Sequence, residues 1–155
     1  MSAVAAGDKA PKFSLEADNG ETLKLTSFKG RKLVLYFYPK DDTPGCTKQA
    51  IGFTERLQEF EALGVTVLGV SKDTLEKHRK FREKHKLEVL LASDPEGEFI
   101  EAYGSWVEKN MYGKKYMGIE RSTFLIDEKG TVQEVWRKVR VPGHVDKVLA
   151  RVKEL

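Results

Sequence analysis

The chain of 155 residues has the length of one compact domain, and its composition, 40% hydrophobic and 33% charged residues, is that of an ordinary globular protein. The formal net charge is only +3, from 27 basic and 24 acidic residues that are interspersed, so no nucleic acid is expected as a partner. No apolar run approaches the roughly 20 residues that span a bilayer, so no membrane partner is expected either.

Two features bear on where the protein works. The segment from Met1 to Asp8 is weakly apolar and lacks the basic start and longer apolar core of a signal peptide. Cys46 is the only cysteine, which excludes an intramolecular disulfide and a thiolate-rich zinc site. We therefore expect a cytoplasmic protein with a reduced thiol, although a mature form that has lost a targeting segment would look the same.

The first elements are predicted to be strands. Alternating apolar and polar residues at 13–15 and 22–25, with Asn19-Gly20 between them, predict an N-terminal β-hairpin. The continuous apolar and aromatic run 33–38 predicts a buried central strand. Pro39 ends this strand, because proline cannot donate a hydrogen bond to a central ladder.

A long helix is predicted next, from apolar residues that recur every three or four positions. These residues are Ala50, Phe53, Leu57, Phe60 and Leu63. Gly64 can end this helix, and the run 65–70 predicts a second buried strand. Asp73 or Thr74 can then cap another helix that runs to about His85.

The second half of the chain predicts further elements of both kinds. They are a core strand at 89–92, a turn at 94–97 before a short helix through Tyr103, an antiparallel hairpin of 121–126 and 131–136, and a helix over 145–152. Strand and helix patterns thus alternate first, and a hairpin and a helix follow. This order predicts one α/β domain over residues 1–155, with a central mixed sheet and helices on both faces.

The segment that joins the central strand to the long helix contains Cys46. Thr43-Pro44 is a helix-start signal, since threonine serves as an N-cap and proline is favoured at the first helical position. Cys46 would then be the third helical residue, where unpaired N–H groups and the helix dipole favour a thiolate, the nucleophilic form of sulfur. The alternative is a small buried hydrophobic residue, which a free cysteine often is.

A thiolate that attacks a peroxide needs fixed donors that bind one oxygen and stabilise charge on the other. Thr43 lies three residues before Cys46, so its hydroxyl could reach the same pocket; the alternative is a helix cap only. Arg121 is a suitable donor if the fold brings it beside Cys46, and is otherwise an exposed arginine at a strand end.

The stretch from Pro39 to Thr47 resembles the active-site motif of peroxiredoxins, Pro-x-x-x-Thr-x-x-Cys. The segments 36–38 and 118–127 resemble the subgroup called peroxiredoxin Q or bacterioferritin comigratory protein, within the alkyl hydroperoxide reductase/thiol-specific antioxidant family. The resemblance extends from about Gly7 to the C-terminus. It implies a thioredoxin-like fold and a peroxidase of antioxidant defence and redox homeostasis.

The resemblance also implies a role for each site residue. Cys46 would be the peroxidatic cysteine, and Pro39 would form a wall of the pocket. Thr43 and Arg121 would donate hydrogen bonds to peroxide and sulfur. Hydrogen peroxide or an organic hydroperoxide would convert Cys46 to a sulfenic acid, with no metal, flavin, haem or other cofactor, and an external thiol would restore the cysteine.

The sequence departs from this family in lacking a second, resolving cysteine. Many relatives carry it five residues after the first, here Ile51, or on the next helix near Arg82. Three interpretations stay open: a natural one-cysteine enzyme, a disulfide between two chains through Cys46, or a replaced resolving cysteine. We favour the first, because Ile51 and Arg82 suit their predicted helices. The reductant would be thioredoxin, glutaredoxin or a small thiol, and the resemblance favours a monomer.

Other functions compete with this interpretation. A thioredoxin-like disulfide oxidoreductase would need Cys-x-x-Cys, where this chain has Cys46-Thr47-Lys48-Gln49. A catalytically silent thioredoxin-like binding or chaperone module would leave Cys46 merely structural. A metal site of His78, His85 and Cys46 is a further alternative, but the charged neighbours of the histidines favour two solvated surface residues.

One aromatic stretch is left without a predicted element. Trp106, Tyr112, Tyr116 and Met117 lie among glycines and lysines. The sequence favours packed loop aromatics at these positions over a surface that contacts substrate or a partner.

Overall fold

The architecture is known from a computed structural model that describes residues 4–155. The strands are β1 (Ser14–Ala17), β2 (Thr22–Lys24), β3 (Lys32–Phe37), β4 (Val65–Ser71), β5 (Leu90–Ser93), β6 (Trp106–Met111), β7 (Lys114–Ile119), β8 (Ser122–Ile126) and β9 (Val132–Trp136). The helices are α1 (Pro44–Ala62), α2 (Leu75–His85), α3 (Glu98–Ala102) and α4 (His144–Lys153), with a 3-10 helix at Leu25–Phe28. In the amino-terminal segment considered above, Met1 to Ala3 lie outside the described residues. Across residues 4–155, none of the helices combines the length and apolar character needed to cross a bilayer.

Seven of the strands form one mixed sheet in the order β2-β1-β5-β4-β3-β8-β9. β3 lies inside this sheet, parallel to β4 and antiparallel to β8. The N-terminal hairpin of β1 and β2 joins the sheet through the antiparallel pairing of β1 with β5. The predictions of a central mixed sheet, a buried central strand and an N-terminal hairpin are therefore confirmed.

Side chains along β3 alternate between the two faces of the sheet, and each face has its own apolar core. On one face Tyr36 and Tyr38 belong to the core that α1, α2 and α4 cover. On the other face Leu35 and Phe37 belong to the core that α3 and the 3-10 helix cover. Helices thus lie on both faces, as predicted.

One contact between β3 and β4 is unusually close. In the parallel register Tyr36 lies beside Gly69, and its ring covers the glycine, so that an added Cβ would lie 2.6 Å from Cζ of the tyrosine. The same ring stacks on Phe53 of α1, with 4.7 Å between the ring centroids. Glycine at position 69 therefore lets the tyrosine fit beneath the helix that carries Cys46.

The stretch between Trp106 and Ile119 differs from the prediction, because it forms a separate two-stranded antiparallel sheet, β6–β7. The interpretation as packed loop aromatics is wrong for Tyr112, which is fully exposed, and for Tyr116, which is 43% exposed. Only Trp106 among these aromatic rings is half-buried, with Nζ of Lys72 4.5 Å from its centre. A hairpin that buries so little on either face lacks the alternation that identified the other strands.

Candidate active site

Cys46 lies in the first turn of α1, beyond the carboxyl end of β3. Pro44 is the first helical residue, and Thr43 has the extended backbone of an N-cap residue (φ −88°, ψ 153°), as predicted. Cys46 is therefore the third helical residue, and it is only 2% exposed in the core beneath α1. Its sulfur lies in the turn where a helix presents unpaired N–H groups, and these favour a negative charge.

The hydroxyl of Thr43 does not cap the helix. It donates a hydrogen bond to the carbonyl oxygen of Lys40 at 2.8 Å and makes no side-chain cap bond. Thr43 is therefore the N-cap residue by its backbone, as predicted, but its hydroxyl oxygen accepts no hydrogen bond from the helix, and its proton is directed back into the loop before α1. With its single proton engaged, the hydroxyl can serve a further ligand as an acceptor. Pro39, just before Lys40, is half-buried at the end of β3, and its place in a pocket wall stays a prediction.

Arg121 is brought to Cys46 by the antiparallel pairing of β3 and β8. Ser122 pairs with Phe37 at the carboxyl end of β3, so the residue before it lies next to the start of α1. The guanidinium Nη2 donates to Sγ of Cys46 at 3.3 Å, and Nη1 donates to Oε1 of Gln49 at 2.7 Å. The arginine is half-buried rather than exposed at a strand end. A fixed cation in contact with sulfur favours the anionic form of that sulfur.

Two residues of α1 that sequence reasoning missed make this contact possible. Gln49 is fully buried one helical turn after Cys46, and this i, i+3 spacing was the available signal. Gly45 leaves room for the guanidinium, because a Cβ at that position would lie 3.1 Å from Nη2 of Arg121. The arginine fork is therefore held at two atoms by one helix, which fixes its orientation.

Two buried polar atoms have no hydrogen-bond partner within residues 4–155: the hydroxyl of Tyr36 and Nε2 of Gln49. Burial raises the pKa of Tyr36 well above its ordinary value, and the charges of Cys46 and Asp41 raise that pKa further. The hydroxyl of Tyr36 therefore keeps its proton and stays a donor, and the side-chain amide of Gln49 is a donor in any case. The core around the cysteine thus contains two neutral donors that the described residues leave without an acceptor.

The two positions near which the family resemblance implies a resolving cysteine are both occupied by well-packed side chains. Ile51 is half-buried and packs against the core beneath α1. Arg82 on α2 donates to Asp18 from Nε at 2.5 Å and from Nη2 at 3.0 Å. It also donates to the carbonyl oxygens of Leu87 and Val89, at 2.6 Å each. Arg82 therefore joins the end of α2 to the β1–β2 turn and to the segment before β5.

The two histidines of α2 have different surroundings. His78 is fully buried, with Nδ1 2.6 Å from Oδ2 of Asp41 and Nε2 2.8 Å from the carbonyl oxygen of Ala92. The interpretation of His78 as a solvated residue is therefore wrong, because its charged neighbours lie on the other faces of α2. His85 lies near the surface, with Nε2 2.8 Å from Oδ1 of Asp42. In the part of the chain that the structure describes, no three His, Cys, Asp or Glu side chains are grouped to hold a metal ion.

Comparison with known proteins places this geometry in a family. The sequence matches the model of the AhpC/TSA family over residues 6–135. It is 50% identical to Peroxiredoxin Bcp of Bacillus subtilis over 149 residues, which are 96% of this chain and 95% of that protein. It is 45% identical to Peroxiredoxin Bcp of Escherichia coli over 154 residues, which are 99% of each chain.

Solved structures of similar proteins have the same fold. The bacterioferritin comigratory protein of Xanthomonas campestris, described in work on its alkyl peroxide reduction activity, superposes with a TM-score of 0.88 at 44% identity, over 92% of this chain and 90% of that one. A mutant of PrxQ from Xylella fastidiosa superposes with a TM-score of 0.93 at 37% identity, over 99% and 98% of the two chains. The thioredoxin-like fold that the sequence resemblance implied is therefore confirmed.

The similarity is not confined to the motif around Cys46. The family model covers most of the chain, and the relatives are similar over nearly all of it. The chain therefore belongs to the AhpC/TSA family, and within it to the peroxiredoxins named Bcp or PrxQ.

Proposed function

We propose that the protein reduces hydroperoxides with Cys46 as its peroxidatic thiol, in one catalytic domain that spans residues 1–155. As a peroxiredoxin it is a thiol-dependent peroxidase. The observation that carries the assignment to Cys46 is the 3.3 Å contact between its sulfur and Nη2 of Arg121. A cation at this distance stabilises both the attacking thiolate and the charge that develops as the peroxide bond breaks.

The oxidation step is a displacement at oxygen. The thiolate of Cys46 attacks the terminal peroxide oxygen, so that an S–O bond forms while the O–O bond breaks. Sulfur loses two electrons and the peroxide gains them. The attacked oxygen keeps its proton, and the leaving oxygen takes a proton from solvent and departs as water or as an alcohol. Cys46 is left as a sulfenic acid.

Three neighbouring groups support this step. Arg121 donates toward sulfur and the leaving oxygen, with its orientation held by Gln49. Thr43 accepts a hydrogen bond from the peroxide O–H, because its own proton is bound by the Lys40 carbonyl. This acceptor role differs from the donor role that the family resemblance implied. Pro39 forms the wall of the pocket at the end of β3.

The thiol is restored from outside the chain, since the sequence contains no second cysteine. The thiolate of a reductant attacks the sulfur of the sulfenic acid, so that an S–S bond forms while the S–O bond breaks, and the leaving hydroxide takes a proton from solvent to become water; a second thiol then breaks the mixed disulfide and releases the thiolate of Cys46. Thioredoxin, glutaredoxin or a small thiol fills this role. The one-cysteine arrangement is natural rather than the result of a replacement, since Arg82 makes four hydrogen bonds of its own.

The proposal extends to the cellular setting of this cycle. The substrates are hydrogen peroxide and organic hydroperoxides, and the protein acts as a monomer in antioxidant defence in the cytoplasm. Light scattering of the reduced and oxidised protein tests whether the protein is a monomer in both states. Steady-state peroxide consumption with the thioredoxin, glutaredoxin and glutathione systems, supplied separately, tests the reductant, and no turnover with any of them would exclude all three.

A peroxide titration tests the central step. The reduced protein is treated with substoichiometric hydrogen peroxide, and free thiol and intact mass are followed. We expect rapid, stoichiometric gain of one oxygen on Cys46 and no reaction in Cys46→Ser. Oxidation no faster than that of an ordinary exposed thiol would exclude the peroxidase, and would favour the alternative of a silent thioredoxin-like binding or chaperone module.

A further inference from the structure

His78 and Asp41 form a buried pair that the steps described above do not use. His78 lies on the inner face of α2, and Asp41 lies in the loop between β3 and α1. Nδ1 of the histidine is 2.6 Å from Oδ2 of the aspartate, and Nε2 is 2.8 Å from the carbonyl oxygen of Ala92. The hydroxyl of Tyr38 donates to the other carboxylate oxygen, Oδ1, at 2.5 Å. Every polar atom of the two side chains therefore has a partner.

These partners indicate the protonation of the ring. A carbonyl oxygen only accepts, so Nε2 of His78 carries a proton; Nδ1 carries one as well when it faces the ionised carboxylate of Asp41. Burial lowers the pKa of His78, but the hydrogen bond and charge of Asp41, the Ala92 carbonyl and the charge of Asp73 together raise that pKa above its ordinary value. The titratable groups that face the ring are Asp41, Tyr38 and Asp73, and the two contacts of the ring fit an imidazolium paired with a carboxylate.

Asp41 is also part of the loop that prepares the active site. The residue before it, Lys40, supplies the carbonyl that receives the proton of Thr43. The backbone N–H of Asp41 donates at 2.8 Å to Oδ2 of Asp73, an oxygen that also accepts from the hydroxyl of Ser71 at 2.7 Å. The loop is therefore fixed from two sides, by its backbone to the end of β4 and by its side chain to α2.

We propose that His78 is a positioning residue for the peroxidase reaction: its protonated ring holds Asp41, and with it the loop that orients Thr43 beside the reacting sulfur. The inference rests on the proposed function of Cys46 and Thr43. Loss of the proton at Nδ1 turns a lone pair toward the carboxylate, and this repulsion displaces the loop. A displacement on the order of 1 Å near reacting groups lowers a rate by about 100-fold. His78 thus controls peroxide reactivity without touching the substrate.

The test compares two reactions of Cys46 in the same protein. Hydrogen peroxide needs the oriented loop, whereas iodoacetamide needs only a reactive and accessible thiolate. The ratio of the two second-order rate constants therefore removes the effect of thiol ionisation at each pH. The ratio is measured over roughly pH 5 to 9, the range in which histidine titrates, for the wild type, His78→Gln and the control Lys80→Gln, which alters an exposed residue of α2.

We expect the wild-type ratio to be constant at low pH and to fall as His78 loses its proton at higher pH. In His78→Gln the ratio should be about 10- to 100-fold lower and independent of pH, because glutamine has no titratable positive charge that could pair with the carboxylate of Asp41. The control should behave as the wild type does, since Lys80 is exposed and pairs with Glu76 of the same helix. A general loss of structure would also lower the ratio, because it would expose the buried Cys46 to iodoacetamide while removing the oriented site for peroxide, so circular dichroism must first show that His78→Gln is folded.

The proposal is overturned if the ratio in the wild type does not vary with pH. It is also overturned if folded His78→Gln has the same ratio as the wild type. If circular dichroism shows that His78→Gln does not fold, nitrogen NMR of the wild-type ring decides instead. Two protonated ring nitrogens at neutral pH support the proposal, and a single neutral tautomer overturns it. Failure of the proposed function is seen separately: wild-type Cys46 would then react with peroxide no faster than an exposed thiol at any pH, which removes both proposals.

Discussion

Nη2 of Arg121 lies 3.3 Å from Sγ of Cys46 although 75 residues separate them in the chain. The antiparallel register of β3 and β8 creates this contact, because it places the residue before Ser122 beyond the end of β3, where α1 begins. Gln49 then holds the second nitrogen of the fork. The arginine and the sulfur are thus oriented by one sheet and one helix.

Replacement of the arginine tests whether charge alone is enough. Arg121→Lys keeps the positive charge but loses the planar fork that binds sulfur and Gln49 at once. We expect the second-order rate constant for oxidation of Cys46 by hydrogen peroxide to fall on the order of 100-fold, as when an enzyme loses one donor to a developing anion. Arg140→Lys, at an exposed position, is the control and should leave the rate unchanged. An unchanged rate in Arg121→Lys would remove the fork from the mechanism.

Two glycines of α1 offer a matched comparison. A Cβ at Gly45 would lie 3.1 Å from Nη2 of Arg121, and one at Gly52 would lie 3.1 Å from Cγ2 of Val145. We expect Gly45→Ala to displace the guanidinium and to lower the rate of peroxide oxidation about 10-fold. Gly52→Ala should change the free energy of unfolding and leave the oxidation rate as it is. Equal rates in the two variants, measured by quenched-flow mass spectrometry, would contradict this explanation of Gly45.

The ion pair between Arg82 and Asp18 predicts that replacement of the arginine lowers the stability of the fold. Arg82→Met leaves Asp18, whose side chain is 1% exposed, without a counter-charge. We expect the free energy of unfolding in urea to fall by about 3 to 5 kcal/mol. The double variant with Asp18→Asn should recover part of this loss, because the buried charge is then removed as well. Lys80→Met, which breaks the exposed pair with Glu76 on the same helix, should cost less than about 1 kcal/mol.

A second buried histidine predicts how stability depends on pH. Nε2 of His144 lies 2.8 Å from the hydroxyl of Thr123. Burial, together with the positive charges of Lys147 and Arg121, lowers the pKa of His144 from 6.5 to about 4. Between these values the unfolded chain binds a proton that the folded chain does not, so this contribution to stability is complete above the upper value and is lost as the pH falls.

The measurement is the free energy of unfolding at about pH 7.5 and about pH 4.5, in the wild type and in His144→Gln. Over this interval the wild type should lose about 2 to 3 kcal/mol more than the variant, from the usual 1.36 kcal/mol for each unit of pKa difference. An equal loss in both proteins would mean that His144 does not carry this dependence.

Much of the fold could be predicted because its elements carry local signals. The continuous apolar run of β3 indicates a strand that is buried on both faces, and the periodic apolar stripe of α1 indicates a helix that is buried on one face. Thr43-Pro44 marked the start of α1 correctly, although the threonine oxygen accepts no hydrogen bond from the helix and its proton goes to Lys40. The β6–β7 hairpin escaped prediction, because a sheet with little burial leaves no alternation in its sequence.

The site was predictable at Cys46 and less so around it. Gln49 is marked only by its spacing on a helix whose buried face was not yet known. The partners of His78 and Arg82 lie 37 and 64 residues away, and such pairings depend on packing of α2 that no local pattern records. For this reason the charged surroundings of His78 suggested a surface residue, whereas the structure buries it.

The four hydrogen bonds of Arg82 also bear on how this chain and a two-cysteine peroxiredoxin could interconvert in evolution. A single change from arginine to cysteine would leave the carbonyl oxygens of Leu87 and Val89 without these donors. It would also leave the buried carboxylate of Asp18 without its counter-charge. The intermediate would be less stable before any disulfide could compensate. A change at position 18 would therefore have to come first or arrive together with the cysteine, so a resolving cysteine at position 82 is hard to reach by single substitutions.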